Sequence, residues 1–411
     1  MPTAATARPN LTSWLIVMVC FLGLSISFSA RSILGLTMPL WERELGWSRS
    51  FISTGGALTL LTMALIAPVT GNLVDRFGPR RVFLAGLAAI AAGMGLASAT
   101  SSQWQFILLY CVLAGAGFGI VAMHVVSTTI ALYFTENRGL ATGIGGAGST
   151  SGQLLIIPIL ALVLETVGWR LSYVTLAVLA VALMPVVMIF VKSGPIATAR
   201  SAVAPAEPLG RRLGSLLRSP VFHALFWSYA VCGFTTSGVI ETHMLPYAAA
   251  CGFPPLDGAA AYGVLSAFNL VGMLGAGYLS DRVHRPTLLA TIYIVRGLSF
   301  ILLMQIVGDL KLLFTFAVMF GLADYATVPV TASLVASHMG LRIMGLTMGL
   351  LTAGHQAGGA LGAFLGGVLY DLFAQYEWVW SASIVLAIAA GFIVLTIPGR
   401  GPDLRPAAAL A

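Results

Sequence analysis

GNLVDRFGPRR at residues 71–81 and GYLSDRVHRP at residues 277–286 are two copies of one short pattern, Gly-x-Leu-x-Asp-Arg, about half a chain apart. Each copy sits between two long apolar runs. Each also has further basic residues close by, Arg80 and Arg81 in the first and Arg285 in the second. One such pattern would say little. Two at matching places identify a duplicated unit, and duplicated helical halves are a transporter architecture. Gly78 suits a tight turn in the first copy; His284 stands there in the second, so its turn is expected to differ.

Working outward from these loops, apolar runs cover 13–38, 50–73, 80–100, 104–133, 138–165, 169–191, 220–249, 258–280, 286–306, 311–337, 343–371 and 377–397. A helical span needs about 20 such residues. A barrel strand would run only about 9–11 with alternating polarity. Within lipid the backbone must satisfy its own hydrogen bonds, so the runs predict helices. The expected fold is all-α and integral to the membrane, with twelve spans in two pseudo-symmetric bundles. The bundles are residues 1–192 and 220–411, and 193–219 is the linker. That linker, SGPIATARSAVAPAEPLGRRLGSLLRS, is rich in Pro, Ala and Arg and reads as a flexible tether, with a short surface helix near Leu209–Arg218.

Composition agrees. Of 411 residues 58% are hydrophobic and only 9% charged, against roughly 25% charged in soluble domains. Such a chain cannot coat itself with water-binding groups, so its solvent is lipid. The net charge of +7 reports topology and no nucleic-acid partner. When alternate loops are assigned to opposite sides, one side collects Arg8, Arg76, Arg80, Arg81, Arg138, Lys192, Arg200, Arg211, Arg212, Arg218, Arg282, Arg285, Arg342, Arg400 and Arg405. The other holds only Arg43, Arg49, Arg170 and Lys311. The asymmetry places both termini in the cytoplasm, and the expected location is a bacterial inner membrane. The small-residue stretch ending at Ala30 has a signal-peptide look, but its run continues past Arg31 to Pro39 and eleven more follow. Cys20, Cys111, Cys232 and Cys251 show neither disulfide nor zinc spacing.

The two loops resemble the signature of the major facilitator superfamily, and the resemblance extends over nearly the whole chain. It implies that Asp75, Arg76, Asp281 and Arg282, with Gly71, Gly78, Arg80, Arg138 and Gly277 around them, form gate loops whose contacts break and re-form in the transport cycle. An anchoring of tight turns at the headgroups is the plainer role for the same charges. YFTENRGLATG at 133–143, followed by Ala147, Gly148, Ser149 and Gly152, is similar to the loop and fifth-helix signature of the monocarboxylate and oxalate/formate transporter branch. Glu44 to Arg49 and Gly354 to Gly362 resemble stretches of bacterial members. The chain departs from animal monocarboxylate carriers in its first helix, which reads SFSARSI at 27–33, and in its eighth, which has Asn269 but no Asp–Arg pair. The glycine–proline motif of drug antiporters on helix five is also missing.

A charge inside a membrane helix is costly and faces a cavity or a partner. Arg31 is the candidate grip for a carboxylate, because a guanidinium fork fits it bidentately; a snorkelling arginine is its plainer reading. Glu241 and Asp324 are candidate proton carriers, since a carboxyl group removed from water can change protonation as the cavity changes sides. A static ion pair is the alternative, for Asp324 with Arg296, whose helix nine the resemblance puts at the periphery. His124, His243 and His355 with Gln356 are substrate-site candidates or interhelical hydrogen-bonding groups. Gln153 and Asn269 are neutral candidates at mid-membrane. The histidine spacing gives no ligand pair on a helix face, so no metal is expected. Gly354, Gly358, Gly362 and Gly366 form a small-residue stripe for close packing. Gly115, Gly117 and Gly119 lack the preceding strand of a nucleotide loop.

These features lead to a secondary active transporter of a small organic anion, monocarboxylate-like and without a bound cofactor, working as one chain by alternating access with proton coupling. Efflux of amphipathic or cationic drug-like compounds by proton antiport is the alternative, favoured by Glu241 and Asp324. A sensor or scaffold would need a soluble output domain, and no nucleophile–base constellation suggests an enzyme.

Overall fold

In the computed structural model residues 11–134, 136–191 and 208–399 are described, and every regular element among them is helical. The first set comprises α1 (Leu11–Glu44), α2 (Arg49–Phe77), α3 (Pro79–Ala97), α4 (Gln103–Tyr133), α5 (Arg138–Gly146 continuing as Gly148–Val167) and α6 (Trp169–Phe190). A short helix, Leu209–Leu217, precedes the second set. That set comprises α7 (Pro220–Gly233, Phe234–Ile240 and Glu241–Ala250 in succession), α8 (Pro255–Ser280), α9 (Arg285–Leu303), α10 (Leu310–His338), α11 (Met344–Phe373) and α12 (Glu377–Leu395). Nine of the described stretches are long and apolar enough to cross a bilayer by length and composition. The other three paths, α5, α7 and α11, carry the Gly-, Ser- and Thr-rich sequences. Leu61, Leu65 and Val69 on α2 are among many large apolar side chains left exposed, as a lipid-facing surface requires. Arg8, Lys192, Arg200, Arg400, Arg405 and linker residues 193–207 lie outside the described residues.

The chain divides into two compact units: Met1–Glu136 with Ala141–Pro205, and Asn137–Leu140 with Ala206–Ala411. Each has the same internal pairing. In the first, α1 packs along α5, α2 along α4 and α3 along α6; in the second, α7 packs along α11, α8 along α10 and α9 along α12. The duplication seen in the two loops therefore extends to helix contacts.

Glycines set the closest approaches at matching places in both units. A methyl group at Gly148 or Gly152 of α5 would overlap the α1 backbone at Phe21 or Ser25. One at Gly358 or Gly362 of α11 would overlap α7 at Ala230 or Phe234. Gly148 to Gly354 and Gly152 to Gly358 have the same separation as Asp75 to Asp281. The Gly354–Gly366 stripe lies against Phe226, Ala230, Phe234 and His243 of α7, so its role is packing.

Four interruptions depart from the uninterrupted helices that the apolar runs predict. α4 contains a π segment, Phe106–Ala114, and breaks at Val121, whose φ −87° and ψ 68° are non-helical. α7 contains a second π segment, Phe234–Ile240. α10 stops at Ala323 and resumes at Thr327. Pro329 gives a local reason for the last: it has no N–H to offer Tyr325 O, four residues back. The loops also differ as expected. Gly78 joins α2 to α3 at φ +81°, a conformation that favours glycine, whereas His284 has φ −66° and its ring bonds Thr287 Oγ1 at 2.8 Å.

Candidate transport sites in the two units

In the first unit Arg31 lies on α1 and is half-buried. Its guanidinium carbon stands 4.7 Å from the Phe28 ring centroid. No acidic side chain among the described residues pairs with it. Its own turn is fixed from α4: Tyr110 in the π segment donates its hydroxyl to Arg31 O at 2.9 Å and Ala30 O at 3.3 Å. The backbone is held while the charged head keeps its donors for another group. Beneath this turn Trp41 packs edge-on against Trp47, Phe106 and Trp169. Glu44 closes the same end, accepting from Trp169 Nε1 at 2.8 Å and pairing with Arg170 at 3.4 Å.

His124 follows the break in α4. It is buried, and neither ring nitrogen has a hydrogen-bond partner. A buried imidazole without partners is costly, so this is another polar group in the unit with unused capacity, as are the buried Ser127 and Thr150 hydroxyls. Gln153 is on α5, and its side chain lies outside the described residues.

In the second unit the broken α10 organises the site. Asp324, at the break, is buried; Oδ1 accepts from Thr236 Oγ1 at 2.5 Å and Oδ2 from Asn269 Nδ2 at 3.1 Å. Asn269 Oδ1 in turn accepts from the Tyr325 N–H at 3.1 Å. Arg296 reaches in from α9, fully buried, and lies 3.8 Å from Asp324 Oδ1. It also donates to Ala323 O at 2.8 Å, to Asp324 O, to Cys232 Sγ at 2.9 Å and to Thr235 Oγ1 at 3.3 Å. The ion pair expected for Asp324 is thus present, and it is one part of a larger network joining α7, α8, α9 and α10. Glu241 differs: it is exposed, and Tyr325 donates its hydroxyl to Oε1 at 3.3 Å.

The remaining candidates separate by what they touch. His243 is buried; its Nε2 meets Ala363 O at 3.0 Å and its ring centroid lies 5.5 Å from that of Tyr376, so its polar capacity serves the α7–α11 packing. His355 and Gln356 on α11 are half-buried, with the His355 ring 5.0 Å from Tyr229. Arg296 was expected as a structural partner only; Pro329 is a local signal for the break, but that Arg296 of α9 caps the carbonyls it frees depends on the packing of the two helices. No cluster of three or more His, Cys, Asp or Glu side chains able to hold a metal occurs among the described residues.

The loop motifs also acquire contacts. Asp281 accepts the N–H groups of Gly139 and Leu140 at 2.9 and 3.0 Å, one on each carboxylate oxygen. Arg282 folds back over the Tyr278 ring at 3.6 Å and donates to Tyr278 O at 3.1 Å. In the first copy Arg76 is exposed, with its guanidinium carbon 5.7 Å from the Phe77 ring centroid.

With the duplicated helical units in place, the comparison with known families is decisive: a sequence profile of the Major Facilitator Superfamily matches residues 20–308 and 276–410. The chain belongs to the Major Facilitator Superfamily. It is 29% identical to the uncharacterized MFS-type transporter YcxA of Bacillus subtilis (strain 168), over 84% of this chain and 86% of that protein. It is 26% identical to monocarboxylate transporter 11 of Homo sapiens, covering 96% and 84%. The fujikurins efflux protein of Gibberella fujikuroi is 24% identical, covering 77% and 67%. Among solved structures, the human organic anion transporter MFSD10 superposes with a TM-score of 0.71 at 18% identity, covering 93% and 99%. That likeness concerns the fold. As a superfamily member similar to the monocarboxylate branch, the protein is a multi-pass membrane transporter.

Proposed function

We propose that this transporter moves a small organic anion, a monocarboxylate or close relative, by alternating access coupled to protons. The observation that carries the reading is the pair of unlike arginines. Arg296 is enclosed by acceptors, whereas Arg31 is half-exposed with its backbone pinned and no acidic partner among the described residues. A free guanidinium on a rigid helix suits a carboxylate. The similarity to monocarboxylate transporter 11 supports the same substrate class. His124 and Gln153 in the first unit, and Asn269, His355 and Gln356 in the second, are the further polar candidates for substrate contact in this reading.

Glu241 is the better placed of the two proton carriers, because it is accessible and has one hydroxyl donor, while Asp324 is already bonded on both oxygens. The loop groups Asp75, Arg76, Asp281 and Arg282 act as gate residues. In this reading the location is a bacterial inner membrane, and the loop charges support cytoplasmic termini.

Thermal unfolding of the purified protein across small carboxylates and lipophilic cations tests the substrate class. A ligand of the folded state raises the midpoint as its site saturates. Stabilisation by carboxylates and its loss in Arg31→Ala is the expected result. Stabilisation by lipophilic cations alone would replace this reading with efflux, which the similarity to the fujikurins efflux protein and the exposed Glu241 carboxylate favour.

A further inference from the structure

The break in α10 leaves the carbonyls of Ala323 and Asp324 without backbone donors, Thr327 Oγ1 reaching Asp324 O only at 3.4 Å, in the interior of a membrane protein, where each needs a donor or a cation. Thr235 Oγ1 and Asp324 Oδ1 stand around the same group. Main-chain carbonyls at an unwound helix are groups by which discontinuous transporter helices coordinate Na+, and a hydroxyl and a carboxylate add the hard oxygen donors such a cation takes. Here that set already encloses a cation. Arg296 Nη2 donates to Ala323 O at 2.8 Å and to Asp324 O, and lies 3.8 Å from Asp324 Oδ1. Nη1 donates to Thr235 Oγ1 at 3.3 Å and to Cys232 Sγ at 2.9 Å.

We propose that Arg296 is a tethered internal cation filling the ion site of the broken helix, so that the second unit has no place there for a free coupling cation and is indifferent to Na+. The charge count agrees: one guanidinium and one carboxylate leave the buried network neutral. An added Na+ would put an uncompensated charge in the protein interior. The sulfur of Cys232 fits the same occupant, since a thiol can accept from a guanidinium but is a poor ligand for a hard alkali cation. The proposal deepens the secondary-transport reading by removing sodium from the choice of coupling ion at this site, leaving the proton at Glu241.

The test is thermal unfolding of the full-length protein in NaCl against choline chloride at equal ionic strength, without substrate. Wild type and Arg296→Lys should give the same midpoint in both salts. Arg296→Gln should unfold earlier in choline chloride, and NaCl should raise its midpoint saturably by roughly 2 °C or more. Adding Asp324→Asn to Arg296→Gln should abolish that response. Na+-specific stabilisation of wild type would overturn the proposal, as would a folded Arg296→Gln protein with no Na+ response. Should Arg296→Gln fail to fold, wild type and Arg296→Lys still decide the matter, since a Na+ response in either refutes it. None of these outcomes depends on carboxylate binding, so failure of the organic-anion reading would appear separately.

Discussion

Arg31 and Arg296 show how one residue type takes opposite roles according to what surrounds it. Arg296 has both Nη groups spent on α7 and α10, whereas Arg31 has its backbone pinned and no acidic partner among the described residues. Arg31→Lys keeps the charge but loses the two-pronged geometry, so affinity for a stabilising carboxylate should fall about tenfold or more; a titrated thermal shift measures it. Glu241→Gln should abolish accumulation driven by a pH gradient and leave substrate exchange between the two sides intact, as counterflow in proteoliposomes would show. The sign is fixed: in proton symport, raising the pH on the entry side lowers uptake by wild type and leaves the Gln variant unchanged. Asp324→Asn leaves the Arg296 charge buried without its counter-charge, a loss of roughly 3–5 kcal/mol, visible as a lower unfolding midpoint. Arg31, Glu241 and Asp324 were all identifiable as charges within apolar runs. Which of them was accessible and which enclosed was not, because that depends on side chains from other helices.

At the scale of elements, helices pack closely where glycine removes a side chain. Gly358→Ala places a methyl group against Ala230 O on α7, while Gly367, on the same helix, has open space at the corresponding point. Gly358→Ala should therefore destabilise by roughly 1–3 kcal/mol and Gly367→Ala by much less, compared by thermal unfolding in one detergent. The stripe itself was legible, since a four-residue repeat marks one helix face. Its partner was not. The interruptions divide in the same way. Pro329 gives a local reason for the break in α10, but the π segments in α4 and α7 have no comparable breaker. They become intelligible through contacts: Tyr110 of the first bonds the α1 backbone, and Thr235 and Thr236 of the second bond Arg296 and Asp324. Hydrophobic periodicity locates a helix and does not report an extra residue inserted in its winding.

Across the whole molecule, a repeated loop motif accompanies a repeated set of helix pairings. The two copies have diverged where chemistry is concentrated: α4 carries the unpartnered His124 after its break, and α10 carries Asp324, which Arg296 meets from α9. Asp281 uses both carboxylate oxygens on the amides of Gly139 and Leu140. Asp281→Asn retains only one acceptor, so the turnover number should fall several-fold with KM changed less than about twofold, if these contacts belong to the moving gate. Uptake kinetics in proteoliposomes separate the two parameters. The sequence by itself determined the solvent, the helical class and the duplication, because burial in lipid imposes long apolar runs and a repeat leaves its motif twice. Tertiary structure alone decided that Arg296 would cap a broken helix, that Asp324 would be bonded on both oxygens and that Arg31 would have no acidic partner among the described residues. Those outcomes depend on which side chains from distant helices converge, and hydrogen bonding in a low-dielectric interior is won or lost over tenths of an ångström that no linear pattern encodes.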